Sequence, residues 1–253
     1  MTLPLLDAQP VPATEVRCLR CRRVCRNGTI FGFGPGCAEI EGVVVRRHRL
    51  ASWAADQPLF EVDPLATSVA AYTDRVDAYA VRNAAKMAGE VARFAGLLPA
   101  AALVLDAGCG PGRDLERFAD AGLRPVGLDL NPQMAARASE HAPVVVADLR
   151  AMPLPTETFD AVWACASLVH LGPLAAGVAL TDLHRVTTPG GLLFAAVKCG
   201  DGSGWQVTAI GRRWFHRWTP AQFAAAVEQA GWEITSMEVG PIFVDVWARK
   251  ERP

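Results

Sequence analysis

Leu103-Val-Leu-Asp-Ala-Gly-Cys-Gly-Pro-Gly-Arg-Asp114 carries an apolar strand into a glycine-rich loop and then into the start of a helix. Val104 and Leu105 continue a buried strand. Gly108, Gly110 and Gly112 lack the side chains that would keep a ligand away from the backbone and from the N-terminus of the next helix. Such a loop fits a nucleotide-type cofactor, although glycines alone are a weak mark. Two acids strengthen it. Arg124-Pro-Val-Gly-Leu-Asp129 reads as a short strand ending in a carboxylate about 20 residues beyond the glycines, the spacing of an acid that chelates two ribose hydroxyls. Val144-Val-Val-Ala-Asp148-Leu149 is a second β-branched run ending in an acid, placed to accept from an adenine amino group.

Five stretches together resemble the successive motifs of class I S-adenosylmethionine-dependent methyltransferases. They are Asp106-Ala-Gly108-Cys-Gly110-Pro-Gly112, Leu128-Asp129, Ala147-Asp148-Leu149, Phe159-Asp160-Ala-Val and Leu183-His-Arg-Val-Thr-Thr-Pro189-Gly190-Gly191. The resemblance covers roughly residues 67 to 249. It implies a doubly wound α/β domain whose seven-stranded, mostly parallel sheet has its last strand antiparallel, with the cofactor lying across the carboxyl ends of the first strands. It further implies that Asp106 helps hold the methionine end of S-adenosylmethionine, and that Cys109, Leu130, Met134, Leu149 and Ala164 stand beside the glycines and acids. Tyr72 and Tyr79 resemble the family's Tyr-x-x-x-Ala-x-x-Tyr lid, although seven residues is also one heptad of ordinary helix packing. A nicotinamide-binding Rossmann domain also has glycines after its first strand and an acid after its second. The acid at Asp106 before the first glycine, and the Pro189-Gly-Gly191 turn into Leu192-Leu-Phe-Ala-Ala-Val197, favour the methyltransferase pattern.

Composition is consistent with that fold. Half of the 253 residues are apolar and the net charge is −1, which gives no global attraction to nucleic acid or to a membrane surface. The longest apolar run, around Leu97 to Leu105, is interrupted by Pro99 and stopped by Asp106, short of a bilayer span. No basic segment followed by an apolar one opens the chain, so a cytoplasmic protein is expected.

Seven cysteines are unevenly placed. Cys109, Cys165 and Cys199 scatter through the α/β region as core or loop thiols, and an odd count without an export signal argues against a disulfide framework. Cys18-Leu-Arg-Cys21 has metal-knuckle spacing, and Gly34-Pro-Gly-Cys37 returns a third thiolate sixteen residues later. Cys25 or His48 is the fourth ligand of the structural zinc this expects. The segment resembles small zinc-ribbon-like modules. Eight arginines against three glutamates between Glu15 and Leu50 give it a formal +5, leaving −6 for the rest. That patch could meet RNA, a protein partner or the acidic body of its own chain, but with only Phe31 and Phe33 its stacking platform is thin.

The domains expected are a Cys-rich module and linker over 1–66 and a methyltransferase domain over 67–253. Apolar spacing across Val69, Tyr72, Val76, Tyr79 and Ala80 predicts a long helix from about Thr67 to Leu98. Strands and helices then alternate, with caps at Asn131-Pro132 and Thr219-Pro220-Ala-Gln222, and terminal strands at Trp232 to Val239 and Ile242 to Ala248. The acceptor side is less marked. Phe159 to Leu171 lacks the Asn/Asp-Pro-Pro-aromatic tetrad of nucleobase amino methyltransferases, which argues against DNA-base amines. His170 follows the fourth strand where a general base would stand, or where an imidazole would simply shape the pocket. Arg212-Arg-Trp-Phe-His-Arg-Trp218 suggests an anionic, aromatic or extended substrate, or else a hydrophobic clasp with solvated arginines. Methyl transfer to a small-molecule acceptor is expected, with an RNA or protein methyltransferase guided by residues 15–50 as the rival.

Overall fold

The computed structural model describes residues 63–252. Cys18, Cys21, Cys25, Cys37 and His48 therefore lie outside the described residues. Among those described, no group of three or more His, Cys, Asp or Glu could hold a metal, and no helix is long and apolar enough to cross a membrane.

The single helix expected from about Thr67 to Leu98 is three: α1 (Pro64–Thr73), α2 (Val76–Asn83) and α3 (Ala88–Gly96). α1 starts on Asp63, whose Oδ1 accepts from Leu65 N at 2.8 Å. Arg75 leaves helical geometry at φ −134°, and Met87, just before α3, is left-handed at φ 62°. Neither break is flagged by Pro or Gly, so apolar spacing alone does not register them.

Alternation follows: β1 (Leu103–Ala107), α4 (Arg113–Asp120), β2 (Arg124–Asp129), α5 (Pro132–Ala138), β3 (Val144–Val146) and β4 (Phe159–Cys165). A 3-10 turn (Leu168–His170) leads to α6 (Pro173–Val186) and β5 (Thr187–Lys198). A hairpin of β6 (Ser203–Thr208) and β7 (Gly211–His216) precedes α7 (Pro220–Gln229), β8 (Trp232–Val239) and β9 (Phe243–Lys250). Both anticipated caps are present: Asn131 Oδ1 accepts from Gln133 N and Met134 N, and Thr219 and Gln222 form a reciprocal capping box.

The seven-stranded sheet runs β3-β2-β1-β4-β5-β9-β8. β1 to β5 pair in parallel, while β9 is antiparallel to both β5 and β8. The final strand alone therefore opposes the rest, as expected. Sequential strands move outward from β1 on one side and from β4 on the other. The order in which strands are added thus reverses between the parallel β1 and β4 and opens a crevice at their carboxyl ends, the usual ligand position in an open α/β sheet.

Successive residues of β1 serve opposite layers. Leu105 packs with Leu128, Val162 and Leu193 toward Leu180, Leu183, Phe223 and Val227 of α6 and α7. Val104 faces Phe94, Phe118 and Trp163, where Trp163 stacks on Phe194 with centroids 4.1 Å apart. Both faces are covered, which is why the strands read as continuous apolar runs rather than alternating ones. The hairpin is anchored across sequence by Ser68, whose hydroxyl donates to Pro64 O at 2.7 Å and accepts from Trp214 N at 2.9 Å.

Candidate functional site

The crevice at the β1–β4 reversal is a cleft of about 770 Å³ counting its open mouth. Tyr72, Tyr79, Gly108, Gly110, Asp129, Leu130, Met134, Asp148, Leu149 and His170 all line it. Sequence positions nearly a hundred residues apart thus share one surface.

The glycines divide the work differently from the sequence expectation. Gly110 (φ 54°) faces open space, and only Tyr79 lies within 4 Å of where a Cβ would be. Gly108 lines the cleft, yet its φ of 84° and the Ser167 Cβ, 2.3 Å from a would-be Cβ, make any side chain impossible without moving the β4 loop. Gly112 is a packing glycine: a Cβ there would meet Ala138 Cα of α5 at 2.8 Å. Cys109 likewise points into the small cluster with Leu115 and Ala138, so neither residue borders the cleft. Ala164 is fully buried, and its neighbours Cys165 and Ala166 line the wall in its place.

Asp129 is drawn into the loop. Its Oδ2 accepts from Gly110 N and its Oδ1 from Asn131 N, both at 2.8 Å. Burial raises its proton affinity and the amide bonds counter that in part, leaving the carboxyl above its ordinary value. Each oxygen keeps a further acceptor position. Asp106 lies deeper, with Oδ2 buried and without a hydrogen-bond partner, and burial together with Asp114 pushes its carboxyl well above the ordinary range. Asp148 accepts from Arg150 Nε at 2.9 Å and Nη2 at 2.5 Å. Burial would raise Asp148, but the Arg150 hydrogen bonds and charge outweigh it and hold the carboxyl below the usual value.

Three contributors went unread in the sequence. Asn131 looked like a helix cap only, yet its Nδ2 also donates to Val69 O (2.9 Å) and Thr73 Oγ1 (3.1 Å), tying the end of α1 to the cleft wall. Asp114 is a buried hub taking Arg113 Nε at 2.7 Å, Arg117 Nη1 at 3.2 Å and Trp163 Nε1 at 3.0 Å. An acid in the first turn of α4 was visible; its three partners were not.

The third is Arg213. At the other end of the cleft, His170 Nδ1 lies 2.6 Å from Trp214 O, which can only accept, so Nδ1 carries the hydrogen. Nε2 is then a lone pair, 3.0 Å from Tyr72 Oη, and the tyrosine donates to it. Tyr72 Oη in turn accepts from Arg213 Nη1 at 2.7 Å. Burial, then the nearby charges of Arg213 and Lys198, push His170 down to about 4 despite the Trp214 bond, so the ring is neutral at pH 7. Tyr72 of α1 meets Tyr79 of α2 edge-on with centroids 5.2 Å apart, across the break between the two helices rather than along one heptad. In the hairpin, Phe215 and Trp218 are buried as a clasp would be, but Arg213 is 9% exposed rather than solvated.

Residues 104–191 match the family model described as a methyltransferase domain. The malonyl-[acyl-carrier protein] O-methyltransferase of Pseudescherichia vulneris is 41% identical over 93 residues, 36% of this chain and 36% of that protein. The 2-methyl-6-phytyl-1,4-hydroquinone methyltransferase of Synechocystis is 36% identical over 115 residues, 42% of this chain and 36% of that one. The chain thus spans little more than a third of these relatives in the matched region. Among solved structures, the Burkholderia thailandensis 1,6-didemethyltoxoflavin-N1-methyltransferase, bound to 1,6-didemethyltoxoflavin and S-adenosylhomocysteine, superposes with a TM-score of 0.60. It is 24% identical, over 82% of this chain and 92% of its own. The chain has the fold of that methyltransferase, a seven-stranded α/β sheet with its last strand antiparallel. The family match runs from β1 to Gly191 in the first half of β5 and stops before the hairpin.

Proposed function

We propose that this chain transfers the methyl group of S-adenosylmethionine to a small-molecule acceptor. The observation that carries the reading is the convergence of the glycine loop, Asp129, Asp148 and the two tyrosines on one cleft at the β1–β4 reversal. The residues suit the group. Asp106 Oδ2, buried without a partner, suits an ammonium; the spare acceptor positions of Asp129 suit two ribose hydroxyls; the open face of Gly110 admits close approach. Leu130, Met134 and Leu149 offer apolar contact for a purine, with Asp148 at its edge.

When bound, the cofactor supplies a methyl carbon activated by a sulfonium. The chain's residues then align the acceptor, exclude water and manage any proton. His170 presents a neutral Nε2 at the acceptor end, covered by Tyr72. A nitrogen depressed to about 4 is a poor match for proton abstraction at pH 7, so its hydrogen bonds to Tyr72 and Trp214 favour the pocket-shaping role. Relatives named for acceptors as different as a malonyl carrier and a hydroquinone support the small-molecule class.

Calorimetry on the full chain with S-adenosylhomocysteine tests this, and tighter binding of a nicotinamide dinucleotide would overturn it. The proposal extends to a cytoplasmic setting, to division into a Cys-rich module (1–66) and the methyltransferase domain (67–253), and to a structural zinc on Cys18, Cys21 and Cys37 with either Cys25 or His48, which takes no part in chemistry. Less than about 0.2 equivalents of zinc in protein purified under reducing conditions would refute the metal.

A further inference from the structure

Arg213 and Lys198 are the groups that the cofactor reading leaves unused. Arg213 stands on β7 behind Tyr72, and among the described residues its Nη1 and Nη2 bind only the hydroxyls of Tyr72 and Thr208. Its Nε is buried with no partner among the described residues. Lys198 ends β5, one strand from Cys165 and Ala166 of the cleft wall, and the only hydrogen bond of its ammonium among the described residues is to Gln206 Oε1 at 3.3 Å. Both cations lie against one ring: Lys198 Nζ is 4.1 Å and Arg213 Cζ 5.1 Å from the centroid of Phe215. Phe215 in turn sits 4.7 Å from the ring of His170. Among the described residues neither cation has a carboxylate within ion-pair distance, although six arginines and Lys250 elsewhere do.

Burying positive charge without an anion is costly, and neighbouring like charges compound the cost. Burial and then Arg213, Arg217 and Lys86 push the Lys198 ammonium below its ordinary value, so the cluster is repulsive as it stands. A negative group arriving beside Lys198 would relieve that.

Building on the methyltransferase reading, we propose that Lys198 and Arg213 select an acceptor carrying a carboxylate, with Lys198 making the direct contact and Arg213 supplying buried charge behind Tyr72. Phosphate-binding sites commonly gather backbone amides at a helix N-terminus or glycine loop. Here both cations are side chains on strands, against aromatic walls, which suits a monoanion on an apolar body.

The test uses the full chain with benzoate and hexanoate, the corresponding primary amides, and inorganic phosphate, each titrated by ligand-observed NMR in the presence and absence of S-adenosylhomocysteine. The acids should bind at least about tenfold more tightly than the amides or phosphate, and K198M should remove that preference. S-adenosylhomocysteine affinity measured on K198M reports whether the variant is folded. Equal binding of acid and amide, no acid binding below about 10 mM, or an unchanged preference in K198M would overturn the proposal. Phosphate binding as tightly as the acids would overturn the carboxylate assignment. Failure of S-adenosylhomocysteine to bind, with acid selectivity intact, would instead sink the methyltransferase reading.

Discussion

The two ends of the cleft are built on different principles. The glycine-loop end comes from three consecutive strand termini in residues 106–149, and its parts are fixed by backbone amides that bond a nearby carboxylate, such as Gly110 N to Asp129 Oδ2. The hairpin end is assembled from α1, the 3-10 turn and β7, where Tyr72, His170 and Arg213 are 98 and 141 residues apart along the bonds that join them. Local connectivity makes the first end rigid and recognisable. The second depends on side chains meeting across the fold, which leaves it free to differ among proteins that share the first.

The largest effect expected separates rigidity from chemistry. Gly108→Val would place a branched side chain where Ser167 Cβ is 2.3 Å from the Cβ position, on a backbone at φ 84°. The loop would have to shift, at a cost of at least about 2 kcal/mol in stability, and binding of S-adenosylhomocysteine should fall below detection. Chemical denaturation with calorimetry checks both. Retained affinity would mean that this end is as adaptable as the other.

At the hairpin end the expected signature is in pH. His170 is buried neutral at about 4, below its unfolded value, so its contribution to stability is complete above about pH 6.5 and is lost as pH falls toward 4. Up to roughly 3 kcal/mol should disappear over that window, and His170→Gln should flatten the loss. For an acceptor that is found, kcat/KM should be level from about pH 6 to 8. A break near 6.5 would show a titrating general base and return His170 to catalysis.

Legibility followed the same division. The strand ends, the glycines and both helix caps could be read because each is decided within a few residues. The break of the first helix into three was hidden because Asp74-Arg75 and Lys86-Met87 carry no Pro or Gly. Gly112 and Cys109 looked like cofactor contacts, but their neighbours in α5 lie more than twenty residues on, beyond what a motif specifies. The arginine-rich stretch 212–218 declared a charge cluster without showing which guanidinium is buried. That follows from alternation along β7, where Arg212 lies over Trp205 and Arg213 turns to Tyr72.

A smaller effect tests Asp129. Its carboxylate is already held by two amides, so a ligand's hydroxyls would add charge-assisted bonds at no cost of ordering the acid. Asp129→Ala should weaken S-adenosylhomocysteine at least about tenfold by calorimetry. An unchanged affinity would leave the loop glycines as the only anchors at this end.

The smallest effect is expected at Asp148, and it asks whether even the glycine-loop end is uniform. Unlike Asp129, Asp148 is committed to Arg150 through several hydrogen bonds and lies nearer solvent, so an adenine amino group would compete there with an existing ion pair and with water. A bond of that kind is worth about 0.5–1.5 kcal/mol, and Asp148→Ala should cost about threefold in affinity for S-adenosylhomocysteine. The discriminating ligand is S-inosylhomocysteine, which lacks the amino group. The parent should bind it a few-fold more weakly than S-adenosylhomocysteine, and Asp148→Ala should bind the two alike. If the variant keeps the parent's preference, the amino group is read elsewhere, and the Asp148–Arg150 pair serves only to hold the loop after β3.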